Sequence, residues 1–113
     1  MKIRIIGLLL SLGIFQIAQA ASFDCERATM ASEHTICTQR EINDADVKMA
    51  TTYNIVRKLV PMGNRGVIRD QQVKWLVLRD QCQSNVQCLA EVYKMRQQKL
   101  DLEMNRIYKQ GPF

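Results

Sequence analysis

A chain of 113 residues with a formal net charge of +5 has room for one small domain, and it carries no Lys/Arg run that would mark a nucleic-acid partner. It has one histidine, no serine in a nucleophile elbow and no glycine-rich phosphate loop, so the common catalytic constellations and metal sites lack their parts. Neither an enzyme nor a cofactor is expected.

In chain order, residues 1–20 read as a secretory signal. Lys2 and Arg4 give a positive start, Ile5 to Ala18 an apolar core, and Ala18-Gln19-Ala20 a small-residue cleavage site. The apolar core of roughly 14 residues falls short of the about 20 that span a bilayer. Cys25 lies too far beyond Ala20 to be a lipidated first residue. No stable membrane anchor is expected, and the mature domain is expected to be residues 21–113, periplasmic or secreted. Taking Lys2 and Arg4 from the sixteen basic residues leaves fourteen against eleven acidic ones, a mature charge of +3.

Residues 21–31 read as an extended lead-in. Ser32 is placed to cap a short helical turn, with Glu33 against its N-terminal dipole and Cys37 at its end. Thr38-Gln39-Arg40-Glu41 then matches a capping box and launches a long helix. Ile42, Ala45, Met49, Tyr53, Val56 and Val60 fall on one face of it, and Pro61 stops it. The following stretch to Gly66 is turn chemistry. Met62, Asn64 and Arg65 on this expected loop are the candidate partner contact, with Arg65 able to reach into a cleft. A second helix is predicted over 67–82, with Ile68, Gln71 or Gln72, Trp75, Leu78 and Cys82 on its buried stripe. Ser84 to Gln87 form a second capping-box match that starts a third helix. Leu89, Val92, Tyr93, Leu100, Met104 and Ile107 line its inner face, and Gly111-Pro112 ends it. The expected fold is all-α: a small disulfide-stabilised antiparallel three-helix bundle with a short N-terminal helical turn.

Four cysteines in an exported chain read as two disulfides. The gaps between Cys25 and Cys37 and between Cys82 and Cys88 are unlike the tight Cys-x-x-Cys of zinc ribbons. In one unbroken helix, Cys82 and Cys88 would stand about 9 Å apart. A disulfide needs α-carbons within about 7 Å, so the chain must break between them, as the Ser84 cap independently suggests. Three pairings are open. The local one, Cys25–Cys37 with Cys82–Cys88, is favoured over the crossed ones.

Other polar and aromatic residues read structurally. His34 is a surface residue beside a short helix. The acidic pairs Asp44 with Asp46 and Asp101 with Glu103 are two apart, so each pair splits across helix faces and shares no reacting atom. Trp75 falls on the apolar stripe, where core packing outweighs ligand stacking. Arg79 and Asp80 are adjacent, so each is expected to bond across to a neighbouring helix or loop.

Phe23-Asp24-Cys25, Glu33 with Ile36-Cys37, Gln72-x-x-Trp75-Leu76-x-x-Arg79-Asp80-x-Cys82, and Cys88-Leu89 with Tyr93 and Arg96 form one pattern. It resembles the LprI-type lysozyme inhibitor N-terminal domain family from Phe23 to about Leu100. Trp75, Arg79 and Asp80 are its structural signature. The resemblance implies an exported helical domain with a protein partner, lysozyme, whose cleft holds two carboxyl groups. A charge of +3 gives no favourable steering toward a basic lysozyme, and Glu41, Asp44 and Asp46 are the acidic residues that could compensate. The alternative is a periplasmic structural or accessory protein that binds an envelope protein or secreted toxin without inhibiting lysozyme.

Overall fold

The computed structural model describes residues 21–111; the expected signal and its cleavage site lie outside the described residues. A 3-10 turn, Cys25–Arg27, precedes four α-helices: α1 (Ala31–Thr38), α2 (Arg40–Leu59), α3 (Met62–Gln81) and α4 (Val86–Gln110). The only regular structure among the described residues is thus helical, with no strand. The expected N-terminal turn is a two-turn helix in its own right. Part of the expected extended lead-in is 3-10.

The helix boundaries follow local chemistry, and three expected caps move. Ser32 lies inside α1, which starts after Met30; Glu33 Oε1 accepts the Met30 amide at 3.0 Å and so ties down the first turn. Thr38 does not cap α2. It is the last residue of α1, its hydroxyl donating back to the His34 carbonyl, and Gln39 makes the kink in an extended conformation. Asn85 rather than Ser84 caps α4, its side-chain oxygen accepting the Cys88 amide at 2.9 Å.

The expected turn from Pro61 to Gly66 contracts to Val60 and Pro61. Val60 is extended, as a residue before proline must be, and Pro61 serves as the N-cap of α3. Proline presets a φ that suits a helix start. A Cβ at Gly63 or Gly66 would meet open space, so neither glycine marks a close approach. Met62, Asn64 and Arg65 therefore lie on the first turn of α3 rather than on a loop.

Successive long helices run antiparallel, which leaves α2 and α4 parallel. Asp46 meets Tyr93 and Thr52 meets Gln97 in ascending order, whereas Met49 and Arg96 both meet Gln72 of the descending α3. Two apolar clusters fill the bundle. The larger, at the disulfide end, includes Ile36, Ile42, Met49, Trp75, Leu89, Tyr93 and Leu100. The smaller holds Val56, Val60, Ile68 and Ile107. Each fully buried leucine or isoleucine contributes about 1.5–3 kcal/mol. The expected stripes on α2 and α4 supply most of both clusters. On α3 and its C-cap the expected stripe holds at Ile68, Gln72, Trp75 and Cys82, but Arg79 is buried where Leu78 was expected, and Leu78 is exposed.

Candidate functional site

The stretch around Trp75, Arg79 and Asp80 is a corner in which α1, α3 and α4 meet. Two disulfides frame it, Cys25–Cys37 and Cys82–Cys88, with α-carbons 5.9 and 5.5 Å apart. The local pairing is the one formed. Between Cys82 and Cys88 the chain turns through Gln83, whose φ of 52° is left-handed. That break brings the two cysteines within bonding range, as an unbroken helix could not.

Trp75 is a core residue, 7% exposed. Its indole Nε1 donates to the Val92 carbonyl at 3.0 Å, and its ring meets Tyr93 edge-on at 4.9 Å. Arg79 and Asp80 depart from expectation. Although adjacent, they bond each other: Nε and Nη2 of Arg79 approach the same Asp80 oxygen at 2.9 and 2.8 Å. A guanidinium on a long stem can fold back over its neighbour, and burial favours doing so because an unpaired buried charge is costly. The expected cross-helix bond is also present on the Asp80 side, where Ser32 Oγ donates at 2.7 Å. Arg79 also lies over the Phe23 ring at 5.6 Å, which ties the N-terminal segment to the corner. Burial opposes the Arg79 charge, but the Asp80 hydrogen bond, Tyr93 and the Asp80 charge outweigh it and raise its pKa.

A second buried polar group was not foreseen. Asp46 is 0% exposed, accepting the Tyr93 hydroxyl at 2.8 Å and the Ser22 amide at 2.6 Å. It cannot join a surface acidic patch with Glu41 and Asp44. Burial, followed by the Asp46 charge and hydrogen bond, pushes the Tyr93 phenol well above its ordinary range. The sequence did hold a signal: Asp46 shares the inward phase of Ile42, Met49 and Tyr53, where a solvated acid has no place. Ser32 and Arg96 were missed as interior polar residues in the same way, whereas Gln72 is buried on the stripe where Gln71 or Gln72 was expected. Arg96 Nε donates to Gln72 Oε1 at 2.9 Å, and the Gln72 amide approaches the Met49 sulfur at 3.3 Å.

The opposite end of the bundle is basic and exposed. Met62 is 80% exposed at the start of α3. Arg65 Nη2 donates to the Lys58 carbonyl at 3.2 Å, at the C-terminus of α2 where a cation is favoured. Tyr53, Arg57, Lys58, Arg65, Gly66 and Arg69 line a shallow depression there, with Arg57 5.8 Å from the centre of the Tyr53 ring. Asn64 follows Met62 on the same exposed turn. Thus Arg65 is brought together with further cations, and Met62 is exposed on the same first turn of α3, at the other end of that helix from Arg79 and Asp80. His34 is exposed on α1. Among the described residues no group of three His, Cys, Asp or Glu side chains could hold a metal ion, and no helix is long and apolar enough to cross a membrane.

The fold and its corner define a small helical module held by two local disulfides and interior ion and hydrogen-bond pairs. The chain belongs to the LprI family: the family model described as lysozyme inhibitor LprI matches residues 25–100. That span takes in both disulfides and the Trp75–Arg79–Asp80 corner. No curated protein and no solved structure matches the chain.

Proposed function

We propose that the protein is an exported binding module that inhibits lysozyme by occupying its cleft, acting through contact and not through turnover. The carrying observation is the family match over residues 25–100. The signal pattern before Ala21 and the two disulfides fit an oxidising compartment outside the cytoplasm.

The surface best suited to the task is the α2–α3 end. Arg65 stands beside Arg57, Lys58 and Arg69, and Met62, three residues before Arg65, is exposed on the first turn of α3. A lysozyme cleft presents two carboxyl groups, one ionised, and a guanidinium is a fitting stopper for it. Short-range pairing of this kind does not need favourable net-charge steering.

The purified, oxidised protein would be mixed with lysozyme in a cell-lysis turbidity assay at two salt concentrations. Lysis should fall in step with added protein, and Arg65→Glu should weaken the effect by about tenfold or more, with unfolding unchanged. Undiminished lysis at a severalfold molar excess, at both salt concentrations, would refute inhibition. Capture of a different envelope protein or toxin would then support the accessory-protein reading. Full inhibition by Arg65→Glu would retain inhibition but remove this surface from it.

A further inference from the structure

Arg79 and Asp80 form a buried ion pair, but among the described residues the buried Arg96 has no anion. Arg96 on α4 is 3% exposed, and its guanidinium meets Gln72 through Nε while Nη2 has no hydrogen-bond partner. Native interiors rarely leave such a group without an acceptor. Burial lowers its pKa, with a smaller opposing contribution from Tyr53.

Arg96 forms part of the wall of a groove of about 460 Å³ between α3 and α4, on the side away from the close α2–α4 contact. The volume lies within the range of small-molecule sites. Trp75, Leu78, Met95, Leu100 and Leu102 give the groove apolar walls. Leu78, Met95 and Leu102 are among the exposed large hydrophobic residues, so this is apolar surface facing solvent. The rim is cationic. Glu103 is taken up by Arg106 at 2.7 Å, leaving Lys74 and Lys99 with no ion pair among the described residues.

We propose that this groove binds a single-chain amphiphile with a carboxylate head, of the fatty-acid type, its chain along the α3–α4 walls and its head paired with Arg96. One buried positive charge is balanced by one carboxylate, and the planar guanidinium matches its two oxygens. For the head to reach the covered Nη2, groove side chains would have to move aside, and Trp75 in the wall is placed to report that movement. The inference does not depend on lysozyme and goes beyond the inhibitor reading.

The test uses the fluorescence of Trp75, the only tryptophan in the chain. The oxidised protein is titrated with decanoate below its micelle concentration, in parallel with decanol, acetate and an acidic peptide. Decanoate should give a saturable change, with decanol weaker by about tenfold or more and acetate silent. Arg96→Met, which fills the same space without the charge, should erase the preference for decanoate over decanol. Leu102→Glu, on an exposed wall position where folding is not at stake, should weaken both. No saturable response to decanoate overturns the proposal. So does equal binding of decanoate and decanol by the unsubstituted protein, or a response to the acidic peptide alone.

Discussion

The two ends of this bundle are built on different rules. At the α1 end two disulfides, the Ser32–Asp80–Arg79 chain and the Asp46–Tyr93 pair surround the larger apolar cluster. At the α2–α3 end the smaller cluster of Val56, Val60, Ile68 and Ile107 closes the bundle, with a single extended residue and a proline making the turn. The first end is specified several times over by independent interactions. The second has few constraints on its surface, so its exposed side chains can change with little cost to the fold. If the α2–α3 end is the contact surface proposed above, folding and contact fall to opposite ends of the bundle.

The sharpest challenge to that contrast is Asp80→Ala. It leaves the Arg79 guanidinium buried without its carboxylate and Ser32 without its acceptor. The expected loss is about 3–5 kcal/mol in urea unfolding. A loss below about 1 kcal/mol, the range of exposed ion pairs, would break the claim that the corner depends on paired charges. A smaller effect is expected from replacing Cys82 and Cys88 together by alanine. Closing so short a loop contributes about 2 kcal/mol, and the first turn of α4 should lose amide-exchange protection before the rest of that helix.

Tyr93→Phe should cost about 1–2 kcal/mol near neutral pH, because the Asp46 carboxylate loses one donor. Its pH dependence sharpens the comparison further. Burial and Asp46 raise the folded-state pKa of Tyr93 above the ordinary 10.0. The unfolded phenol therefore ionises first, and the stabilisation is complete below about pH 10 and declines as pH rises beyond it. Melting temperatures between pH 8 and 11 should fall less steeply for Tyr93→Phe than for the unsubstituted protein. Equal slopes would show that alkaline sensitivity resides elsewhere.

Much of the architecture was legible because apolar residues recur at helical spacing on α2 and α4, and because proline and glycine punctuate the chain. The local disulfide pairing was favoured but not fixed: a Cys82–Cys88 bond needed a helix break, and cap chemistry was present to supply it, whereas nothing comparable singled out Cys25–Cys37. Caps themselves were read less well. Ser32, Thr38 and Ser84 have the right side chains, but Glu33, Gln39 and Asn85 occupy the decisive positions, and only backbone geometry distinguishes them. The Pro61–Gly66 stretch misled because proline and glycine can open a helix as well as a turn. Interior polar residues were hardest. Asp46 and Arg96 are buried through partners far away in sequence, whereas Arg79 folds back on its neighbour Asp80, and periodicity records where a side chain points but not which partner awaits it. At the basic end, Met62 and Arg65 were correctly seen as exposed chemistry but placed on the wrong kind of element.

Both disulfides join cysteines close in sequence, separated by 12 and 6 residues. A chain that emerges N-terminus first presents Cys25 and Cys37 before Cys82 or Cys88, and Cys82 lies one tight turn from Cys88. Neither bond threads one part of the chain past another. Nearest neighbours in order of emergence are also the correct partners, so oxidation by proximity alone leads to the native pairing, and a thiol exchanger has little to repair.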